Sequence, residues 1–487
     1  MQDIVRSTLT DNSVFRQIRT VLPLTWQHRQ LPMIVAMGEF SEPSRSRSMP
    51  DEAGDDKGQF ATEQAYVASN QPNPILASVV RSGIPYDQAT VNPDIYSSSW
   101  SLRDFQIVPG KPDVKDQQLS GYCWVYATAC MVEQFLNTEY KPSHSQEVSI
   151  AYWQYWDVLE KTNYFLEVLI RTAETHDLHS RLMYTVLDLY PNDGGQYTFA
   201  QNLIEKYGFM FKSSYSRSPA ANVTRGLNNK LRYLVKSSIL EIRERAVQQG
   251  ADAARELKQK LMDQVIRVLN SHMPPPPKQT PKELELSKVV KEYTNRFVSV
   301  LHDGRDRTSA ANILQVDCLG NVLGAPPASF VRCADVEDMV ELARLQLRES
   351  KRPIWAGSTW STDIFRRWDS LDTNHYLNDP EPEKSMNKIS RIFDLGLDLG
   401  EHATCLVGSK LGADGKLSEL LVQNSHGQAD LPPGHGHLRM HVDWFRQYIN
   451  IIVIDKAILQ KFAGGKLLPA KPEVMVLECW DRIGTLA

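Results

Sequence analysis

The chain has 487 residues, of which 42% are hydrophobic and 23% are charged, and its formal net charge is −4 at pH 7. This length can bury a sizeable core in about two to four domains. No apolar run approaches a membrane span, and the N-terminus lacks the charged-then-apolar pattern of a signal peptide. Six scattered cysteines without CxxC pairs argue against a zinc ribbon and a disulfide framework. We therefore expect a soluble globular protein in a reducing compartment, the cytoplasm.

Residues 1–95 carry the weakest structural signal. The stretch 41–73 is rich in Ser, Pro, Asp, Glu and Gly and poor in apolar residues, so burial cannot offset the entropy lost on ordering. Residues 1–40 contain several arginines and few acids, as transit peptides do, but Asp3 and Asp11 interrupt that pattern and favour an ordinary amphipathic extension. We predict a poorly ordered N-terminal extension over 1–95.

A helix is predicted to begin at Cys123. Apolar residues follow at helical spacing, at Val125, Ala129, Val132 and Leu136. Cys123 then lies in the first turn, where free N–H groups and the positive end of the helix dipole favour the nucleophilic thiolate. An isolated cysteine is more often a small buried hydrophobic residue than a catalyst, so this position alone does not establish catalysis.

Three further residues make a catalytic site the favoured interpretation. Gln117, six residues before Cys123, can donate its side-chain amide to an oxyanion that forms beside the sulfur. His402 heads an apolar, strand-like run and Asn424 ends a second one, so two neighbouring strands would present both side chains together. Cys, His and Asn in this order are the nucleophile, base and orienting residue of papain-like proteases.

Together these segments resemble the bleomycin hydrolases, the self-compartmentalised branch of the papain-like cysteine peptidases. The resemblance covers residues 100–487 and includes, in order and at the family's spacing, the segments 192–196, 203–208, 436–448 and 480–487. No single match is specific, whereas their combination is. The resemblance implies an α+β fold, with a papain-like core made of a helical half and an antiparallel, β-barrel-like half.

The spacing of the catalytic residues predicts an inserted subdomain. His402 follows Cys123 by about 280 residues, whereas papain-type enzymes separate the two by about 130 to 150. The intervening sequence is helical in pattern, with a second helix over 281–300 after an apolar stripe at Leu257, Leu261, Val265, Val268 and Leu269. The predicted domains are a helical half with the nucleophile over 96–220, a helical insertion over 221–345, a β half with the His and Asn over 346–470, and a C-terminal tail over 471–487 that reaches the active-site cleft.

The resemblance implies a cysteine aminopeptidase that removes N-terminal residues from peptides and related amides without a cofactor. In it, Cys123 is the nucleophile, His402 the base, Asn424 the residue that orients the imidazole, and Gln117 an oxyanion donor together with the Cys123 N–H. The terminal carboxylate of Ala487 is expected to pair with the free amine of the substrate. A homohexamer that encloses its active sites is also implied.

Two residues depart from the family's pattern. His426 stands where the family carries a tryptophan that shields the Asn–His hydrogen bond, so we expect exposure to weaken that bond. Tyr122 stands where the family commonly carries arginine, and we expect it to alter the rim beside the nucleophile. Neither change removes a catalytic group.

Two other interpretations remain open: a catalytically weak or inactive relative that acts as a scaffold, and a nucleic-acid-binding oligomer. Five basic residues between 243 and 260 could contact phosphates, but acidic residues alternate with them, which is typical of a solvated helix face. His435, His437 and His441 could be taken for metal ligands. They lack a helical i, i+4 arrangement, so we predict no metal site.

Overall fold

The structure, a computed structural model, describes residues 74–97, 100–140, 147–305, 311–359, 370–375, 401–427 and 436–484. The disorder predicted for 41–73 lies outside the described residues, as do His435 and the terminal Ala487. Within the described part of the chain, no helix is long and apolar enough to cross a membrane.

The described chain contains helices along its whole length, and most of them lie before Phe297. They are α1 Pro74–Arg81, α2 Tyr86–Ala89, α3 Pro93–Ser97, α4 Cys123–Phe135, α5 Ile150–Arg171, α6 Arg181–Leu189, α7 Tyr197–Tyr207, α8 Arg225–Lys236, α9 Ile239–Gln249, α10 Ala251–His272, α11 Pro281–Asn295, α12 Val336–Arg348, α13 Val442–Tyr448 and α14 Lys456–Lys461. Local signals set several of their ends. The Ser149 side chain caps α5 by accepting the Tyr152 N–H, and Thr280 forms a capping box with Glu283 at α11.

The strands of the described residues form one mixed, mainly antiparallel sheet. They are β1 Gln106–Ile107, β2 Phe297–Leu301, β3 Ile313–Val316, β4 Ser329–Arg332, β5 Ile354–Thr359, β6 Ser370–Leu371, β7 Glu401–Leu411, β8 Leu417–Gln423, β9 His437–His441, β10 Ile449–Asp455 and β11 Val474–Leu477. The order across the sheet is β11-β3-β4-β2-β10-β5-β7-β8-β9-β6, and β1 pairs with β7. This combination of helices and sheet confirms the predicted α+β fold.

Residues 74–97 do not continue the poorly ordered extension that was predicted over 1–95. They form α1 to α3, and the Asn92 N–H donates to the His375 carbonyl at 2.7 Å. The Asn92 side chain also donates to the carbonyl of Asn374, 282 positions along the chain, at 2.9 Å. Pairing over such a distance leaves no local sequence signal, so the prediction placed the boundary too late.

The predicted helical insertion over 221–345 contains both helices and strands. Helices α8 to α11 occupy its first part, and Leu261, Val265 and Leu269 of the predicted stripe are buried against α5 and its neighbours. The second helix, predicted over 281–300, ends at Asn295. The β-branched and aromatic segment Phe297–Leu301 then forms β2, which pairs antiparallel with β10. Partners that lie far along the chain decide this change from helix to strand.

Helix α4 is buried along its whole length within the larger hydrophobic core. The Trp355 indole N–H of β5 donates to the Trp124 carbonyl at 3.0 Å. Gly195 packs so closely on the Trp124 ring that a Cβ at that position would stand 2.5 Å from it. Contacts with the sheet and with the loop before α7 therefore hold the first turn of α4. A second core lies among α5, α6, α8, α9 and α10.

Candidate active site

Cys123 is the first residue of α4, which confirms the predicted start of the helix. Its side chain is buried, and the backbone N–H groups of Ala403, Trp124 and Cys123 itself act to lower the pKa of the thiol. Ala403 directly follows His402 in β7. The thiol therefore lies at the start of the strand that carries the predicted base.

His402 lies in β7, and Asn424 directly follows the last residue of the neighbouring antiparallel strand β8. The His402 Nε2 and the Asn424 Oδ1 are 2.9 Å apart, and the two residues are only 8% and 4% exposed. Because an amide oxygen only accepts, Nε2 carries the hydrogen and Nδ1 is the basic nitrogen of the neutral ring. The sheet thus fixes the tautomer that can accept a proton from a thiol.

Burial opposes charge on both members of the predicted Cys–His pair. It raises the pKa of Cys123 to about 11, although the three backbone N–H groups counteract it. It also lowers the pKa of His402 to about 3, assisted by positive charge on His426 and opposed by the hydrogen bond to Asn424. The thiol of Cys123 and the imidazole of His402 are therefore each more stable uncharged while the other is uncharged. A Cys123 thiolate becomes favourable only when His402 beside it is an imidazolium.

Gln117 is buried in the loop before α4 and is held by the segment that follows β8. Its N–H donates to the Ser425 carbonyl at 2.7 Å, and its side-chain oxygen accepts from the Ser425 hydroxyl. The side-chain nitrogen donates to the Ser120 carbonyl at 2.6 Å. Gln117, Cys123, His402 and Asn424, four of the site residues predicted from the sequence, thus lie in connected segments.

Sequence reasoning missed the residues that hold this loop in place. Arg217 donates to the Ser120 hydroxyl at 2.8 Å, to the Tyr126 hydroxyl at 2.6 Å and to the Gln117 carbonyl at 3.3 Å. Asp193 accepts from the Gly121 N–H at 3.2 Å. The only available signal for Asp193 was its place in the family segment 192–196, and Arg217 gave none.

The predicted exposure of the Asn–His hydrogen bond is wrong. The His426 ring lies nearly parallel to the His402 ring, with 5.4 Å between centroids and 14° between planes. Asp116 and His426 also form an antiparallel bridge, which fixes the backbone there. The His426 imidazole therefore takes the place of the family's tryptophan over the His402–Asn424 hydrogen bond. His426 itself is exposed, but the residues that form the bond are buried.

Tyr122 does not form the rim of the cleft, which corrects the second predicted departure. Its side chain is 1% exposed and lies beside the Asp157 carboxylate. Lys161 pairs with Asp157 at 2.8 Å. Burial raises the pKa of Tyr122 well above its ordinary value, so the residue is a neutral part of the core.

The basic residues between 243 and 260 are mostly used inside the fold. Arg243 donates to the Thr172 hydroxyl at 3.1 Å and to carbonyls at the end of α5. Arg255 and Lys258 both pair with the buried Glu167, at 2.7 and 2.9 Å. Among the residues with described positions, no group of three or more His, Cys, Asp or Glu side chains could hold a metal ion.

The sequence model of the Peptidase C1-like family matches residues 61–484. The chain belongs to this family. Aminopeptidase C of Lactobacillus helveticus is 30% identical over 424 residues, which cover 81% of this chain and 92% of that protein. Bleomycin hydrolase of Gallus gallus is 26% identical over 405 residues, which cover 78% of this chain and 87% of that protein. Both names agree with the resemblance inferred from the sequence, which is thereby confirmed.

A solved structure supports the same assignment. The crystal structure of PepW from Lactobacillus rhamnosis HN001 superposes with a TM-score of 0.74 at 26% identity, covering 88% of this chain and 97% of that one. The agreement covers nearly the whole of that structure, so the two chains share their fold over most of their length.

Proposed function

We propose that this protein is a cysteine aminopeptidase that transfers an acyl group to Cys123. The observation that carries the proposal is the His402 ring held by Asn424 at 2.9 Å, in the strand whose next residue, Ala403, has a backbone N–H that lowers the pKa of the Cys123 thiol. Membership of a peptidase family and relatives named Aminopeptidase C support the same chemistry.

The first step is proton transfer from Cys123 to Nδ1 of His402. The Asn424 oxygen accepts the Nε2 hydrogen, so Nδ1 is the ring nitrogen that is left to take the proton of the thiol. The resulting thiolate gains from three backbone N–H groups and from the first turn of α4. It attacks the carbonyl carbon of the scissile amide.

The developing oxyanion needs donors that are already in place. The Cys123 N–H is one, and the Gln117 side-chain amide is the other. A primary amide has two N–H hydrogens, and Gln117 gives one of them to the Ser120 carbonyl. We assign the second hydrogen to the oxyanion. His402 then protonates the leaving amine, and water cleaves the thioester with His402 again as base.

Specificity for free N-termini is assigned to the C-terminus. The carboxylate of Ala487 pairs with the substrate's ammonium group and allows only the first residue to reach Cys123. A charge-assisted hydrogen bond of about 1.5 to 3 kcal/mol favours a free amine by roughly ten- to a hundredfold. This reaction scheme uses no cofactor and takes a peptide or an aminoacyl amide as substrate.

The same proposal includes a closed homohexamer in the cytoplasm. A homohexamer that encloses its catalytic sites restricts access to unfolded peptides and would protect folded proteins. Sizing with light scattering at neutral pH is expected to give six chains per particle. A monomer over a wide concentration range would remove the enclosed assembly from the proposal and leave the thiol chemistry untouched.

The function is tested with a pair of fluorogenic aminoacyl amides that differ only in acetylation of the amine. The free-amine compound should be hydrolysed about ten- to a hundredfold faster. Equal rates would contradict the aminopeptidase assignment. If neither compound is cleaved, iodoacetamide labelling at neutral pH decides the case, because a Cys123 that is not alkylated would rule out the thiolate mechanism.

A further inference from the structure

Two cysteines from distant parts of the chain meet at an edge of the sheet. The parallel strands β3 and β11 are in register up to the pair Val316 and Leu477, and the Asp317 N–H donates to the Leu477 carbonyl at 2.9 Å. Cys318 and Cys479 each lie two residues beyond the last pair. Neighbouring strands run about 4.8 Å apart, which lies within the Cα separation of about 4.4 to 6.8 Å that a disulfide spans.

The Cys479 side chain also reaches the backbone beside Cys318. The Cys479 thiol donates to the Asp317 carbonyl at 2.9 Å, and this oxygen belongs to the peptide group that leads into Cys318. The two thiols are also within hydrogen-bonding reach of each other. Both cysteines are free thiols in the structure.

The two thiols differ in exposure and acidity, as an attacking and a resolving thiol do. Cys318 is partly exposed and lines a surface cavity with Tyr164 and Val186, whereas Cys479 is buried. The neighbouring Cys479 thiol lowers the pKa of Cys318, whereas the Cys318 thiol and burial raise that of Cys479. A soluble oxidant therefore meets Cys318 first.

We propose that Cys318 and Cys479 are a reversible disulfide site. When the protein meets a small-molecule disulfide, the bond links the residues that follow β11 to the rest of the fold. Without that bond, side-chain contacts hold the residues that follow β11. Arg305 pairs with Asp481 at 2.9 Å, and the Arg181 guanidinium lies 5.0 Å from the centre of the Trp480 ring. The site lies outside the catalytic residues and does not depend on the proposed function.

The chemistry is two successive thiol–disulfide exchanges. The Cys318 thiolate attacks one sulfur of the small disulfide, which forms a mixed disulfide and releases one small thiolate. Cys479 then loses its proton to solvent, attacks the Cys318 sulfur and releases the second small thiolate. The protein loses two electrons and two protons, and the small disulfide is reduced to two thiols. An excess of reduced thiol reverses both steps.

A second thiol pair in the same protein provides an internal comparison. Cys130 of α4 and Cys405 of β7 also lie close to each other, but both are buried in the core. Burial raises the pKa of Cys405 well above its ordinary value. Proximity is therefore common to both pairs, and only the Cys318–Cys479 pair has a member that a dissolved reagent can reach.

The test treats the native full-length protein with oxidised glutathione at neutral pH, blocks the remaining thiols and maps disulfides by mass spectrometry. We expect a Cys318–Cys479 linkage, with Cys130 and Cys405 still blocked as thiols. The linkage should raise the midpoint of thermal unfolding by about 2 °C or more, because it closes a long loop. Dithiothreitol should reverse both changes.

Two serine variants complete the experiment. Cys318→Ser should show neither the linkage nor the shift in the unfolding midpoint, whereas Cys333→Ser, at a buried thiol elsewhere, should show both. Glutathione that remains attached to Cys318, or thiols that pair only after unfolding, would overturn the proposal. Mapping of the unmodified chain decides this outcome even where a variant folds poorly.

Discussion

Two buried polar clusters in this molecule differ in whether their ionisable groups are charged. In the site around Cys123, burial holds the pKa of the thiol at about 11 and that of His402 at about 3, so both groups rest neutral. Burial also opposes charge on Glu167 in α5, but hydrogen bonds from Arg255 and Lys258 outweigh it and bring the Glu167 pKa to about 2. One cluster is uncharged at rest, and the other is fully ionised.

The difference separates charges that stabilise the fold from charges that drive a reaction. The Glu167 cluster joins α5 to α10, and its charges are satisfied as soon as the helices pack. At the Cys123 site the proposed reaction itself creates the charges, and the surrounding N–H groups would then stabilise them. Groups that are already aimed at the developing charge cost no reorganisation during the reaction.

The largest expected effect is that of Cys123→Ser, which should lower kcat by at least about 10,000-fold, because a hydroxyl at this position is far less acidic than a thiol. Steady-state hydrolysis of an aminoacyl amide measures it. Cys333→Ser is the matched control: its thiol donates to the Asp335 carbonyl at 3.1 Å, which a hydroxyl can also do. Activity within about tenfold of the unmodified protein in Cys123→Ser would remove this residue as the nucleophile.

Gln117→Ala should lower kcat by about 100- to 1,000-fold with a smaller change in KM, since the lost donor acts on the oxyanion and not on the bound substrate. Gln118→Asn serves as the control, because the exposed neighbour has a φ of 56° that asparagine tolerates. A loss that tracks a lower unfolding midpoint would assign Gln117 to the loop's structure alone.

Glu167→Gln should leave kcat unchanged and lower the free energy of unfolding by about 2 kcal/mol at pH 7, because two cations lose their charged partner. Glu167 has a depressed pKa, so its contribution is complete above the ordinary value near 4.5 and is lost as pH falls toward about 2. Urea unfolding between pH 7 and pH 3 should therefore show a weaker acid dependence in the variant.

The control for this variant is Glu241→Gln, which removes an exposed partner of Arg245 on α9. Surface pairs of this kind contribute about 0 to 1 kcal/mol, so little change is expected. Equal destabilisation by the two substitutions would mean that burial of Glu167 adds nothing to the pair.

The smallest effect is expected for His426→Trp. Positive charge on His426 lowers the pKa of His402, so its removal should raise that pKa and stabilise the imidazolium that forms during the proposed reaction. The high-pH limb of kcat/KM should move upward, or the rate should rise a few-fold at neutral pH. Because the His426 ring already covers the Asn–His bond, a large gain is not expected. An unchanged pH profile in a folded variant would show that the His426 charge does not act on the pair.

Local sequence patterns were enough to predict the segments that carry Cys123, His402 and Asn424. Contacts between residues far apart in the chain could not be predicted in this way. The start of α4 at Cys123 follows from periodicity, and the strand ends at His402 and Asn424 follow from two apolar runs. Arg217 reaches the Gln117 loop from 100 positions away, a distance at which no pattern in a single sequence operates. The same holds for the thiol contacts, because scattered spacing concealed that Cys318 and Cys479 meet.

The sheet shows the same limit. Phe297–Leu301 continues an apparently helical region, yet it becomes a strand because β10, made about 150 residues later, offers it a partner. Strand propensity and helix periodicity are both weak preferences that tertiary contacts override. Sequence reasoning therefore placed the start of α4 at Cys123 more accurately than it placed the end of the helix predicted over 281–300.

The complete burial of α4 has a consequence for how the protein is made. Trp355, whose indole N–H bonds to the Trp124 carbonyl, is synthesised 231 residues after it. At translation rates of roughly 5 to 20 residues per second, α4 leaves the ribosome about 10 to 45 seconds before β5 exists to cover it. His402 arrives later still. A nascent chain therefore has no sheet to cover this apolar helix during the interval, and it carries the proposed nucleophile without the proposed base, so the proposed reaction cannot yet take place.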